Sequence, residues 1–198
     1  MNDTFNYTFS QNRNKLTDIK IMKHLHIPGF LIGLIFIYML SFSTIFSQNY
    51  PVLSFSVKDQ FDSLHTEKEY LGKISVVLGA DRGGGSFNDS WINAIRTNLG
   101  NKFDEKEIKF LSPANVSSVP FFLKGFVKSK FPEKRNNWVL MDWKGYFADS
   151  YQFIDNTCNV VIFNKTGKFI YKTNGREIDN QKLATLCNKI VELLQAAQ

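Results

Sequence analysis

Residues Lys73 to Leu99 constrain the fold most: a short β-branched run, three consecutive glycines, then apolar residues at helical spacing. Ile74, Val76, Val77 and Leu78 have the composition of a strand buried on both faces of a parallel or mixed sheet. Gly83, Gly84 and Gly85 let the chain turn sharply and bring main-chain N–H groups close to a neighbour. Ser86 and Asp89 have the spacing of a capping box, which predicts a helix starting at Ser86. In that helix Phe87, Trp91, Ala94, Ile95 and Leu99 form the stripe that faces the sheet.

The chain has 198 residues, enough for one domain with a sizeable core preceded by a leader. Its 43% hydrophobic and 21% charged content is that of a globular protein, and 19 phenylalanines predict a core rich in aromatic rings. From Met22 the order is that of a secretory signal peptide: basic Lys23, an apolar run from Phe30 to Leu40, then small residues around Ser41 and Ser43. Residues 22–47 are therefore expected to be a signal peptide, with cleavage near Ser43 or after Ser47. An uncleaved membrane anchor is the alternative, although the apolar stretch is shorter than the roughly 20 residues of a spanning helix. Residues 1–21 are polar and lack apolar periodicity, and Met22 is the more conventional start, so this extension is read as untranslated. The domain is thus expected outside the cytoplasm, in the periplasm or cell envelope, and bound to membrane only if the leader is retained. Loss of residues 1–47 leaves 20 basic against 16 acidic residues, too small an excess for a nucleic-acid surface.

Further along, Leu53, Phe55 and Val57 alternate with serines, and Leu64-His65-Thr66 returns, predicting a front hairpin. Ile108 to Leu111 and Trp138 to Met141 are further strand candidates. Between them Ser118-Val119-Pro120 opens a helix in which Phe122, Phe126 and Val127 are expected to face inward. Asn159 to Phe163, the turn Asn164 to Gly167, and Lys168 to Tyr171 form a hairpin pattern. Asp179 then caps a last helix whose apolar stripe runs from Leu183 through Leu186, Cys187 and Ile190 to Val191 and Leu194.

The opening Phe-x-Val-x-Asp-Gln-Phe, then Leu-His-Thr, Leu-Gly-Lys and an apolar strand, resembles the start of peroxiredoxins and other redoxin-type members of the thioredoxin superfamily. The stretch Asp142 to Tyr151 and the Cys158 to Tyr171 hairpin extend that resemblance over residues 52–195. It is similar above all to exported, cysteine-poor redoxins of the YtfJ type. The resemblance implies an α/β thioredoxin-like fold: a central mixed β-sheet flanked by helices, here with an N-terminal β-hairpin extension. It also implies that the corner at 81–89 is where such proteins carry their reactive cysteines, and this corner has none. In the same pattern a cis-proline opens the strand that Cys158 opens here.

Two candidate sites follow. Asp81, Arg82, Gly83, Gly84, Gly85 and Ser86 precede a helix N-terminus, where a small anion or a partner's carboxylate could bind; the plain alternative is a turn that starts a helix. The corner lacks the Lys-Ser/Thr ending of a P-loop and the spacing of a dinucleotide motif. Cys158 is the catalytic candidate, a lone redox or metal-binding thiol beside Arg82 and Ser86, with a buried strand residue as the alternative. Cys187 falls on the last helix's apolar stripe. A Cys158–Cys187 disulfide is permitted by an oxidising compartment but is not indicated by spacing. No histidine, cysteine and carboxylate spacing marks a metal site, and no cofactor is expected. The leading expectation is a binding or regulatory module for an unknown protein or small anionic ligand. The competing expectation is an atypical redox or peroxide-handling enzyme that uses Cys158.

Overall fold

The computed structural model describes residues 50–134 and 138–196. The polar extension and the leader lie outside the described residues. Among the described residues, eight strands and four α-helices follow in order. The strands are β1 (Ser56–Lys58), β2 (Leu64–Thr66), β3 (Ile74–Gly79), β4 (Ile108–Leu111), β5 (Pro113–Asn115), β6 (Leu140–Asp142), β7 (Cys158–Phe163) and β8 (Phe169–Gly175). The helices are α1 (Asn88–Leu99), α2 (Lys124–Lys128), α3 (Tyr146–Tyr151) and α4 (Asn180–Gln195).

The central sheet has the order β4-β3-β7-β8, with β3 parallel to β4 and antiparallel to β7. After Ser112 the chain continues as β5, which stays beside the end of β3 through the Ala80–Ala114 bridge and pairs on its other side with parallel β6. The mixed sheet thus gains a fifth position at one edge. The β1–β2 hairpin abuts that edge through the Asp59–Leu140 bridge. β5 escapes the sequence reading because it is three residues long and begins with proline.

Strand alternation divides the core into two layers. Ile74, Val76 and Leu78 of β3, with Cys158, Val160 and Ile162 of β7, pack against Trp91 and Ile95 of α1 and Leu186 and Ile190 of α4. Val77, Val161 and Phe163 point the other way, into a layer with Leu53, Phe55, Phe147 and Tyr151. All six residues of β3 are buried, as a central strand covered on both faces requires. Asp179 caps α4 as expected, accepting the N–H groups of Gln181 (2.9 Å) and Lys182 (3.0 Å). Asp142 accepts the N–H groups of Tyr146 (2.9 Å) and Phe147 (2.8 Å), while Gly145 at φ 71° turns the chain into α3.

Three expectations are corrected. The Ser86–Asp89 capping box does not form: residues 85–87 make a 3-10 turn, α1 starts at Asn88, and no side chain caps it. The front strand is shorter than its alternation suggested, because only Ser56–Lys58 finds a partner, although Leu53 and Phe55 are buried as the period predicts. Phe122 and Phe126 do not face inward; they are 71% and 61% exposed, next to Phe121 at 81%. Their helix α2 has only five residues after a 3-10 turn, so it offers no continuous face to bury.

Gln60 secures the connection that follows α2. Its side-chain amide donates to the Pro132 carbonyl (3.0 Å), and its carbonyl oxygen accepts the Val139 N–H (2.8 Å).

Candidate functional site

The corner after β3 is closed by the chain itself. Asp81 sits where the sheet ends, and its carboxylate accepts the Gly84 N–H (2.8 Å) and the Asn156 N–H (3.0 and 3.1 Å). Its backbone carbonyl accepts from Gly84 and Gly85. The anion held by this helix start is therefore the protein's own Asp81 carboxylate.

The glycines answer a need for space rather than for unusual backbone angles. None of Gly83, Gly84 and Gly85 has a positive φ. A Cβ on Gly84 would lie 2.2 Å from the Thr157 carbonyl oxygen, and one on Gly83 would lie 2.0 Å from Asn156 Oδ1. Gly85 has open space around it. The turn thus presses directly against the loop that leads into β7. Asn156 holds that loop at φ 57°, a conformation asparagine tolerates better than most residues. Behind it, buried Asn159 donates to the carbonyls of Ile154 (2.9 Å), Thr157 (3.3 Å) and Gly79 (3.3 Å) and accepts the Ile154 N–H (2.7 Å). One side chain thereby fixes both the loop and the end of β3.

Arg82 and Ser86 remain exposed at the surface of the corner. Arg176, just past β8, donates through Nε to the Asn156 carbonyl (3.0 Å), so a second guanidinium borders the same loop. At the foot of the corner Asn88 donates to the Leu78 carbonyl (3.0 Å), and its buried Oδ1 has no partner among the described residues. Arg176 was invisible to local patterning because it reaches the corner only through the strand pairing of β7 with β8. Asn156, Thr157 and Asn159 carried the single signal of polar residues flanking an apolar strand.

Backbone and side chain part company at Cys158. Thr157 packs on Gly84, so the chain before Cys158 meets the corner, and all described peptide bonds there are trans. The Cys158 side chain, however, belongs to the core layer under α1 and α4 and is fully buried. Burial pushes its thiol up to about 12, which opposes formation of the thiolate that attack or metal binding needs. Cys187 lies in the same layer, with its thiol pushed up to about 11 by burial, and the two cysteines are not bonded to each other. His65 lies away from the corner, between Asp59 (3.2 Å) and Glu69 (3.1 Å), and stacks on Trp138 with ring centroids 4.1 Å apart. Among the described residues no group of three or more histidine, cysteine and carboxylate side chains could hold a metal ion.

Neither a family model nor a curated protein matches the chain. Solved structures do match. BsSco, a member of the Sco family of cytochrome c oxidase assembly proteins, aligns with a TM-score of 0.51 at 11% identity, covering 74% of this chain and 94% of its own. A candidate thiol:disulfide interchange protein DsbE from Chlorobium tepidum aligns at 0.51 and 12% identity, covering 74% and 98%. A candidate protein disulfide isomerase from Bacteroides thetaiotaomicron aligns at 0.50 and 15% identity, covering 76% and 92%. At such identities the likeness speaks for architecture alone, and it agrees with the sheet order and the two helical layers: the chain has the thioredoxin-like fold.

Proposed function

We propose that this protein is an exported thioredoxin-fold binding or regulatory module of the cell envelope, working through the corner at residues 81–86 without a dithiol site. The observation that carries this reading is the division at the corner: Asp81 and two glycines close it against residues 156–157, while the neighbouring sulfur is turned into the core. A surface made of Arg82, Ser86 and Arg176 suits an acidic group on a small ligand or a partner protein. The basic, apolar and small-residue order of residues 22–47 supports export. Among the described residues no helix is long and apolar enough to cross a membrane.

The test combines two measurements on the full chain. Titration with a short acidic peptide should shift the amide resonances of Gly85 and Ser86, and the shifts should disappear in Arg82→Ala together with Arg176→Ala. Iodoacetamide should leave Cys158 unlabelled in the folded protein. Rapid labelling of Cys158, together with peroxide consumption that Cys158→Ser abolishes, would replace the binding reading with thiol chemistry.

A further inference from the structure

A concavity lined by none of the corner residues lies between the front hairpin, α2 and the turn from β6 into α3. It measures about 910 Å³, within the range of small-molecule sites. Two contacts span it. Lys128 pairs with Asp62 and ties α2 to the hairpin turn, and Lys124 Nζ stands 4.9 Å above the Trp143 ring. Buried Phe55 and Met141 lie at its floor, with half-buried Val57, Trp143 and Tyr146 on its walls.

Its charges do not balance. Five lysines line the cleft against three carboxylates, and each carboxylate is already engaged: Asp62 with Lys128, Glu67 with the Phe55 N–H (3.1 Å), and Asp142 with the start of α3. Lys58, Lys68 and Lys144 are exposed and make no salt bridge among the described residues. An apolar lining beside lysines that outnumber the carboxylates, with Lys68 and Lys144 in no salt bridge among the described residues, fits an amphipathic acid. The apolar part replaces water against the rings, and the acid group supplies the charge the lysines lack.

We propose that this cleft binds a small aromatic or aliphatic carboxylate, its apolar body against Phe55, Trp143 and Tyr146 and its carboxylate toward Lys68 and Lys144. The site is independent of the corner, so Arg82→Ala leaves it intact and failure of one reading does not carry over to the other. Isothermal titration of the full chain with 1-naphthoate tests it. Saturable binding is expected, weakening at least tenfold in Lys68→Glu with Lys144→Glu while the unfolding midpoint holds, and weakening similarly for the neutral 1-naphthamide. Phe121→Ser with Phe122→Ser should leave the affinity unchanged. The proposal is overturned by absence of saturable binding, by equal affinity for acid and amide, by indifference to the lysine substitutions, or by loss of binding in the Phe121 and Phe122 variant.

Discussion

The corner at 81–86 and the segment at 121–128 reverse the usual association of small residues with open loops and aromatic residues with cores. At the corner, Gly84 is buried with no room for a single carbon, because two stretches of main chain meet there. In the other segment, Phe121, Phe122 and Phe126 stand mostly in solvent, because α2 is too short to form a layer of its own. Tight packing follows from where backbones converge, and residue type alone does not decide it.

The sharpest way to break this contrast is Gly84→Ala. The added carbon meets the Thr157 carbonyl at 2.2 Å, and the rigid neighbour is backbone, so a loss of about 3 kcal/mol is expected in urea unfolding. Gly85→Ala, with open space at the same turn, should stay within about 0.5 kcal/mol. Equal losses from both would show that the corner needs glycine's freedom and not its smallness.

Next comes the buried sulfur beneath the corner. The folded Cys158 thiol is pushed up to about 12. The unfolded thiol titrates near 8.5, so above that pH the unfolded chain loses its proton first and stability falls as pH rises toward the folded value. The contribution reaches about 1.4 kcal/mol per pH unit. Cys158→Ala should therefore flatten the alkaline limb of stability against pH relative to wild type, as urea midpoints taken across that limb will report. An unchanged slope would mean that Cys158 is not held in the low-dielectric layer.

A smaller effect is expected at Asp81. Asp81→Ala removes the acceptor for Gly84 and Asn156 at a partly exposed site, and about 1 kcal/mol should be lost in the same assay. The smallest lies across the molecule: Phe121→Ser with Phe122→Ser should change stability by no more than about 0.5 kcal/mol, since neither ring is buried. A larger loss would place those rings in a packed cluster and remove the contrast.

The central sheet was legible because short β-branched apolar runs bounded by turn residues are a local signal. The buried run of Ile74 to Leu78, the Asn164 to Gly167 turn and the Asp179 cap all occupy the predicted places. The corner was legible as a turn but not as a contact. Its glycines are explained by Asn156 and Thr157, more than seventy residues away, and no periodicity reports such a meeting. Phe122 and Phe126 misled for the same reason: helical spacing says which side chains share a face, not whether another element covers it. Ser86 had the spacing of a cap, yet it lies inside the 3-10 turn of residues 85–87, so the α-helix starts two residues after it, at Asn88.

Gln60 offers a practical handle. By grasping the chain at Pro132 and again at Val139, one side chain from the front hairpin sets the separation of the two ends independently of what joins them. Extra sequence placed between those two points would add a closure cost that grows slowly with length, while β6 keeps its register. This makes the interval a natural place to graft an epitope or a fluorescent reporter without disturbing either candidate site.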